Sequence, residues 1–172
     1  DEILAEAIAT ELSGAMWSER TQFTATAPDV DSCLSEIKQL QGRVCLLDMG
    51  DNVGGGSPAD STHLAHALVR RSIPKSFICL FDPVAVSVAG EAGVGASLTL
   101  SMGGATDALH GDPLVARVRV DGLYDGQFTE NEARHGGIVN FDQGKSAVVT
   151  IASALTVMMT SKPIEPWSLG EF

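Results

Sequence analysis

The spacing of apolar residues in the first forty positions predicts two helices. Apolar side chains recur at the period of an α-helix at Ile3, Leu4, Ala7, Ile8, Leu12, Ala15 and Met16. This pattern predicts an amphipathic helix from Asp1 to about Trp17, with its first carboxylates placed to complement the helix dipole. A second, shorter helix is expected after Pro28-Asp29 and should stop near Gly42. Residues 1–42 are therefore predicted to be a helical lead-in.

Between residues 43 and 102, short apolar runs alternate with helical patterns. The predicted strands are 43–48, 76–81 and 96–102. One predicted helix covers 59–71, with Ser57-Pro58 at its start, and another is opened by Asp82-Pro83 and ends near Gly90. Strands that alternate with helices favour a parallel sheet with right-handed crossovers. This part is therefore predicted to be a βαβαβ unit.

After Gly103-Gly104 the pattern changes to short alternating or apolar runs. These runs, at 115–120, 138–141, 146–151 and 155–160, are separated by turn-forming pairs at Asp121-Gly122, Asp125-Gly126 and Gln143-Gly144. Residues 103–172 are thus predicted to form a mainly antiparallel, β-rich part. The fold class is α/β, and residues 1–172 are expected to form one domain.

Composition narrows the classes of partner. The net charge is −11 and the isoelectric point is about 4.6, with basic residues scattered apart from Arg70-Arg71. Neither nucleic acid nor an anionic membrane is expected as a partner. The odd number of cysteines, with Cys45 and Cys79 inside predicted buried strands, favours a reducing, cytoplasmic setting. The helical start and the apolar last residues suggest a piece of a longer protein.

The segment from Asp48 to Asp60 is the first candidate for chemistry. Two carboxylates, Asp48 and Asp51, lie beside three consecutive glycines, whose N–H groups could turn toward a ligand near a helix N-terminus. The loop is not a P-loop, because Gly56 stands where that motif has lysine, and G-x-G-x-x-G is absent. The carboxylates would repel bare phosphate, so the pattern favours a polar substrate or a metal-containing site. A simple tight turn capped by Asp51-Asn52 is an equally good interpretation.

A second polar cluster follows the predicted strand 96–102 and contains Asp107 and His110. Ligands bind beyond the carboxyl ends of strands in open parallel sheets, so both loops are expected to face one crevice. His110 could instead be a loop histidine that bonds a backbone carbonyl. His63 and His66 share a helix face, but their spacing lacks the rest of a metal motif, and no metal ligand is predicted in this chain.

Several of these segments together resemble the C-terminal domain of the microcystinase C (MlrC-like) metallopeptidase family, named for an enzyme that cleaves linearised microcystin. The resemblance rests on Asp48–Pro58, Asp82-Pro83 with Ala85-Val86, Gly93–Ala96, Gly103–Asp107 and Leu109–Gly111. It implies a parent protein that is a zinc-dependent peptide or amide hydrolase. It also implies that the zinc is bound by a larger N-terminal domain that this chain lacks, so the isolated fragment should be inactive. Two departures are Ala59-Asp60-Ser61, where relatives usually have Gly-Asp-Gly, and the end at Phe172, after which relatives usually run on.

These observations define the predicted site. Asp51 and His110 are the predicted catalytic residues, and the predicted substrate-binding residues are Asp48, Asn52, Gly54, Gly55, Gly56, Ser57 and Asp107. The predicted partners are the N-terminal metal-binding domain and a peptide or small amide substrate, with a homo-oligomer also possible. Two alternatives remain: an anion or small-ligand binding module, and a structural or oligomerisation domain.

Overall fold

The computed structural model describes residues 1–24 and 26–164, except for the side chains of residues 38 and 133–135. The α-helices are α1 (Glu2–Ser18), α2 (Val30–Glu36), α3 (His63–Arg71) and α4 (Pro83–Ala92). The strands are β1 (Ser76–Phe81), β2 (Ser97–Met102), β3 (Leu114–Tyr124), β4 (Gln127–Arg134), β5 (Ile138–Asp142), β6 (Ser146–Ile151) and β7 (Leu155–Thr160). Short 3₁₀ turns occupy Arg20–Phe23, Ile37–Gln39, Val53–Gly55 and His135–Gly137.

A five-stranded mixed sheet in the order β1-β7-β6-β3-β2 forms the centre of the fold. Only β1 and β7 pair in parallel; the other neighbours are antiparallel. Strands β4 and β5 form a separate antiparallel ribbon, in which the rings of Phe128 and Phe141 stack with centroids 4.9 Å apart. The predicted α/β class and the antiparallel character of the C-terminal part are confirmed.

The predicted parallel pairing within residues 43–102 is wrong. Strand β2 pairs antiparallel with β3, and β1 and β2 lie at opposite edges of the sheet, because β7, β6 and β3 insert between them. The predicted strand 43–48 is irregular chain with Cys45 exposed, and only Leu46 packs against the core. Apolar composition alone did not determine burial here, because strand formation depends on the neighbours that a segment meets.

Helix α3 begins at His63, four residues later than predicted, because the chain before it is held in another conformation. Ala59 has a left-handed φ of 64°, and its carbonyl accepts a hydrogen bond from Phe81 N at 2.7 Å. The buried Thr62 lies at the N-cap instead. Helix α4 begins as predicted, with the Asp82 carboxylate accepting from Ala85 N at 2.8 Å and Pro83 at the first position.

Two of the three predicted turns are present, and both lead from one sheet to the other. Asp125-Gly126 connects β3 to β4, and Gln143-Gly144 connects β5 to β6. Asp121-Gly122 lies inside β3, where the pairing with β6 shifts register between Val120 and Gly122. An Asp-Gly pair therefore marks a β-bulge at this position and not a hairpin.

The core lies between the five-stranded sheet and the helices that pack on it. Its fully enclosed side chains include Leu34, Met102, Val120, Val149, Leu155, Val157 and Met159. Helix α4 contributes Ala85, Val86 and Ala89, and α3 contributes Ala65, Ala67 and Leu68. Within the described part of the chain, every helix is too short or too polar to cross a membrane.

Candidate functional site

Asp51 is a buried carboxylate that fixes the chain ahead of α3. Its Oδ1 accepts a hydrogen bond from Ala59 N and its Oδ2 accepts one from Ser61 N, both at 2.7 Å. The side chain is only 8% exposed. Such charge-assisted bonds to two backbone N–H groups hold the carboxylate in a single orientation.

The three glycines after Asp51 form a closed turn. Gly54 N donates to Asn52 Oδ1, Gly55 N to the Asn52 carbonyl and Gly56 N to the Val53 carbonyl, at 3.0, 2.9 and 2.8 Å. The turn ends at Gly56, whose φ of 92° favours glycine. All three N–H groups therefore donate within the loop, as in the turn interpretation, and an anion would bind them only if the loop opened.

Asp48 and Ser57 belong to the same loop through bonds to Gly50. Asp48 Oδ1 accepts from Gly50 N at 3.1 Å, and the Ser57 hydroxyl donates to the Gly50 carbonyl at 2.8 Å. Asp48, Asp51 and Asn52 line a groove of about 560 Å³ between the 45–53 segment and β1. These predicted site residues therefore share a wall of one depression.

Asp107 and His110 form a compact unit in the loop between β2 and β3. Asp107 Oδ1 accepts from Leu109 N at 2.6 Å and from His110 N at 3.1 Å, which closes a tight turn. His110 Nδ1 lies 2.9 Å from both carboxylate oxygens of Asp107. The sequence left open whether His110 bonds a backbone carbonyl. In the structure its Nδ1 pairs with the Asp107 carboxylate.

The two loops meet at His110. Its Nε2 lies 3.9 Å from Asp51 Oδ1, on the side of the ring opposite Asp107. The hydrogen bond that the His110 ring donates to the Asp107 carboxylate raises the pKa of His110. Burial lowers this pKa, whereas the charges of Asp107 and Asp51 and the Gly50 carbonyl raise it further. The bonds from His110 and from Leu109 N lower the pKa of Asp107. The structure therefore places an imidazole between two carboxylates from separate loops.

The convergence of these loops does not come from adjacent parallel strands. Although β1 and β2 lie at opposite edges of the sheet, the residues that follow them are in contact, since Gly103 N donates to Asp82 Oδ2 at 2.9 Å. Gly104 N also donates to the Asp60 carbonyl at 2.7 Å. The two loops are thus brought together by the segment before α3, which bridges the ends of the two strands, but the lining of the groove beside Asp51 includes neither Asp107 nor His110.

The side chains of His63 and His66 contact backbone carbonyls of the loop between β2 and β3. His63 Nε2 lies 3.0 Å from the Leu109 carbonyl oxygen, and His66 Nε2 lies 2.9 Å from that of Asp112. Among the described residues, no group of three His, Cys, Asp or Glu side chains is arranged to hold a metal ion. Both imidazoles therefore have structural partners on the loop that carries His110.

Sequence reasoning missed two residues that anchor the site. Asp60 is 1% exposed, and its Oδ2 accepts from Ala105 N and Thr106 N at 2.9 Å each. Thr62 is fully buried, and its hydroxyl donates to the Asp112 carbonyl at 2.7 Å. In sequence, Asp60 cannot be distinguished from a carboxylate in the first turn of a helix. The available signal was the glycine pair Gly103-Gly104, because glycines without side chains allow the backbone at Asp60 to approach closely.

Comparison with known proteins identifies relatives of this chain. The family model described as MlrC C-terminus matches residues 46–172. Microcystinase C from Sphingomonas sp. is 40% identical over 81 residues, which are 46% of this chain and 16% of that protein. A crystal structure named "Putative metallopeptidase" from Mesorhizobium sp. BNC1 has a TM-score of 0.78 at 29% identity, over 88% of this chain and 30% of that chain. The chain thus spans less than a third of the length of either relative.

Proposed function

The chain belongs to the MlrC C-terminus family, and from that membership we propose that it is the C-terminal domain of a zinc-dependent hydrolase that cleaves a peptide or amide bond. In this proposal the zinc is bound by an N-terminal domain of the parent protein and supplies Lewis-acid activation there. The described residues of this chain do not fit a zinc site, because the imidazoles nearest the cluster already have carboxylate or carbonyl partners. No step of the reaction is therefore assigned to metal held by this chain.

The observation that carries the proposal is the arrangement Asp51–His110–Asp107. Asp107 bonds Nδ1 of the imidazole, so in this proposal Nε2, the nitrogen nearer Asp51, is the atom that exchanges a proton with the substrate. A carboxylate that orients a histidine in this way also stabilises its protonated form. The raised pKa of His110 extends its protonated form to higher pH than in a free imidazole. His110 is therefore assigned as the donor of a proton to the leaving nitrogen of the cleaved bond.

The remaining predicted residues are assigned to the substrate side. Asp48 and Asn52 line the groove next to Asp51 and present polar groups along an otherwise apolar wall. The turn Gly54–Gly56 and Ser57 define the shape of that loop, and in this proposal the loop covers the substrate in the intact enzyme. A cytoplasmic location is part of the proposal, since the odd number of cysteines in the sequence does not indicate a disulfide framework.

The test is the kinetics of the full-length parent enzyme on an amide or peptide substrate. We expect His110→Gln to lower kcat/KM by about 10²-fold or more at unchanged zinc content, the scale of losing a positioned proton donor. His110 is a better target than Asp51, because Asp51→Asn would also remove an acceptor from the bonds to Ala59 and Ser61.

His63→Gln is the matched control, because His63 is also an imidazole bonded to the 103–113 loop but faces a backbone carbonyl. We expect this variant to change thermal stability more than turnover. A wild-type kcat/KM in folded, zinc-loaded His110→Gln would remove His110 from the proposed reaction. A similar loss of kcat/KM in both variants would assign the effect to the loop and not to the proton donor.

A further inference from the structure

Helix α1 exposes a continuous apolar ridge. Leu4, Ile8, Leu12 and Met16 follow one another at four-residue spacing, so their side chains lie on one side of the helix. They are between 48% and 63% exposed, and no residue of α1 is buried. The described part of the chain therefore provides no packing partner for this face.

A helix whose apolar face is not buried lacks the main source of helical stability in proteins. Most of that stability comes from packing an apolar face, and isolated helices of about 12–15 residues are marginal in water. Helix α1 has 17 residues, includes Gly14 and Thr10, and receives no tertiary burial. A contiguous exposed apolar surface of this kind marks an interaction site.

The charges on α1 discriminate between possible occupants of the ridge. The helix carries Glu2, Glu6 and Glu11 and has no lysine or arginine. An amphipathic helix that lies on an anionic lipid surface has basic residues on its polar face, which α1 lacks. A second copy of α1 would add the same acidic residues and no basic ones, so pairing of two α1 helices would gain no contact between opposite charges. The ridge thus fits a protein surface that is neutral or basic around an apolar centre.

We infer that the ridge of α1 packs against the part of the parent protein that lies outside this chain. The chain corresponds to only 30% of the Mesorhizobium protein, so most of such a parent lies elsewhere. The region that matches the family begins at residue 46, so α1 lies on the side of that region toward the rest of the parent. This inference depends on the existence of the longer parent and not on the proposed reaction.

The experiment compares hydrogen exchange of α1 in the full-length parent and in the 172-residue chain. We expect the amides of α1 to be protected at least tenfold more in the parent. The variant Ile8→Gln/Leu12→Gln should remove that additional protection, although glutamine is as good a helix former as the residues it replaces. The control Thr10→Gln/Ser13→Gln lies on the opposite face of the same helix and should leave the protection unchanged.

Three results would overturn the inference. Equal exchange of α1 in the parent and in the 172-residue chain would show that the missing part does not cover the ridge. Concentration-dependent dimerisation of the 172-residue chain that the Ile8→Gln/Leu12→Gln variant abolishes would make a second copy the occupant. Binding to vesicles of anionic phospholipid that the same variant abolishes would make it a lipid surface.

Discussion

At the scale of single residues, the pairing of His110 with Asp107 makes stability depend on pH. The folded pKa of His110 is raised above its ordinary value of 6.5, so its contribution is fully present below that pH and is lost as pH rises through the folded pKa. The pKa of Asp107 is lowered from 3.8, so its contribution is present above that pH and is lost as pH falls through the lower value. The pair therefore stabilises the fold most between these two ordinary values.

A titration of the His110 imidazole by NMR checks this directly. We expect a midpoint above 6.5 in the wild-type chain, and a lower midpoint in Asp107→Asn, where the charge and the strong acceptor are lost. Replacement of His110 by glutamine should also flatten the decline in stability on the alkaline side. If Asp107→Asn left the midpoint unchanged, the bond between the two side chains would not exist in solution.

At the scale of an element, the turn between β6 and β7 has unsuitable residues for its shape. Ala152 and Ser153 both have left-handed φ values, 48° and 57°, and Ala154 N donates to the Ile151 carbonyl. This is the geometry of a type I′ turn, for which Asn-Gly is preferred. We expect Ala152→Asn/Ser153→Gly to raise the free energy of unfolding by about 1–2 kcal/mol, the usual cost of one left-handed residue.

Denaturant unfolding of the 172-residue chain measures this change, and Ala92→Gly is a control for the general effect of glycine. Ala92 is the exposed last residue of α4 and has no left-handed φ, so that variant should be slightly destabilising. An unchanged or lower stability of the turn variant would mean that residues 152 and 153 are not both left-handed.

The elements themselves show which signals in the sequence were sufficient. Helix α4 was predicted with its start, because Asp82-Pro83 specifies a cap locally. The sheet order was not predicted, because β1 and β2 are separated by β3, β6 and β7, which all begin more than ten residues after the end of β2. The segment 43–48 has the composition of a buried strand, but burial requires a neighbour that the local pattern does not specify. A local helix cap could thus be predicted from the sequence, and long-range strand pairing could not.

At the scale of the whole molecule, the candidate site is a junction between distant parts of the chain. Glycines and short polar residues in two loops led to the prediction of Asp51, Asp107 and His110 as site residues, and the structure places these side chains near one another. The contact between their loops depends on Asp60, whose carbonyl and carboxylate bind the backbone of residues 104–106. No spacing in the sequence relates Asp60 to those positions, because the connection is made only in the folded chain.

Gly104 tests the internal packing of the 103–113 loop, whose backbone carries the bonds to Asp60. Its φ is 60°, and a Cβ atom there would lie 2.5 Å from the Gly111 carbonyl oxygen, so both backbone strain and overlap oppose alanine. We expect Gly104→Ala to lower the free energy of unfolding by about 2–4 kcal/mol, the sum of a left-handed alanine and an overpacked contact. For a chain of this size, the melting temperature should fall by roughly 5–15 °C.

Gly90→Ala is the matched control. Gly90 lies in α4 with open space around its Cβ position, so alanine should stabilise the helix by about 0.5–1 kcal/mol. The two variants make the same chemical change and are expected to move the melting temperature in opposite directions. If Gly104→Ala melted like the wild type, residues 104 and 111 would not be in contact in solution. The closure of the 103–113 loop around His110 would then have to be abandoned.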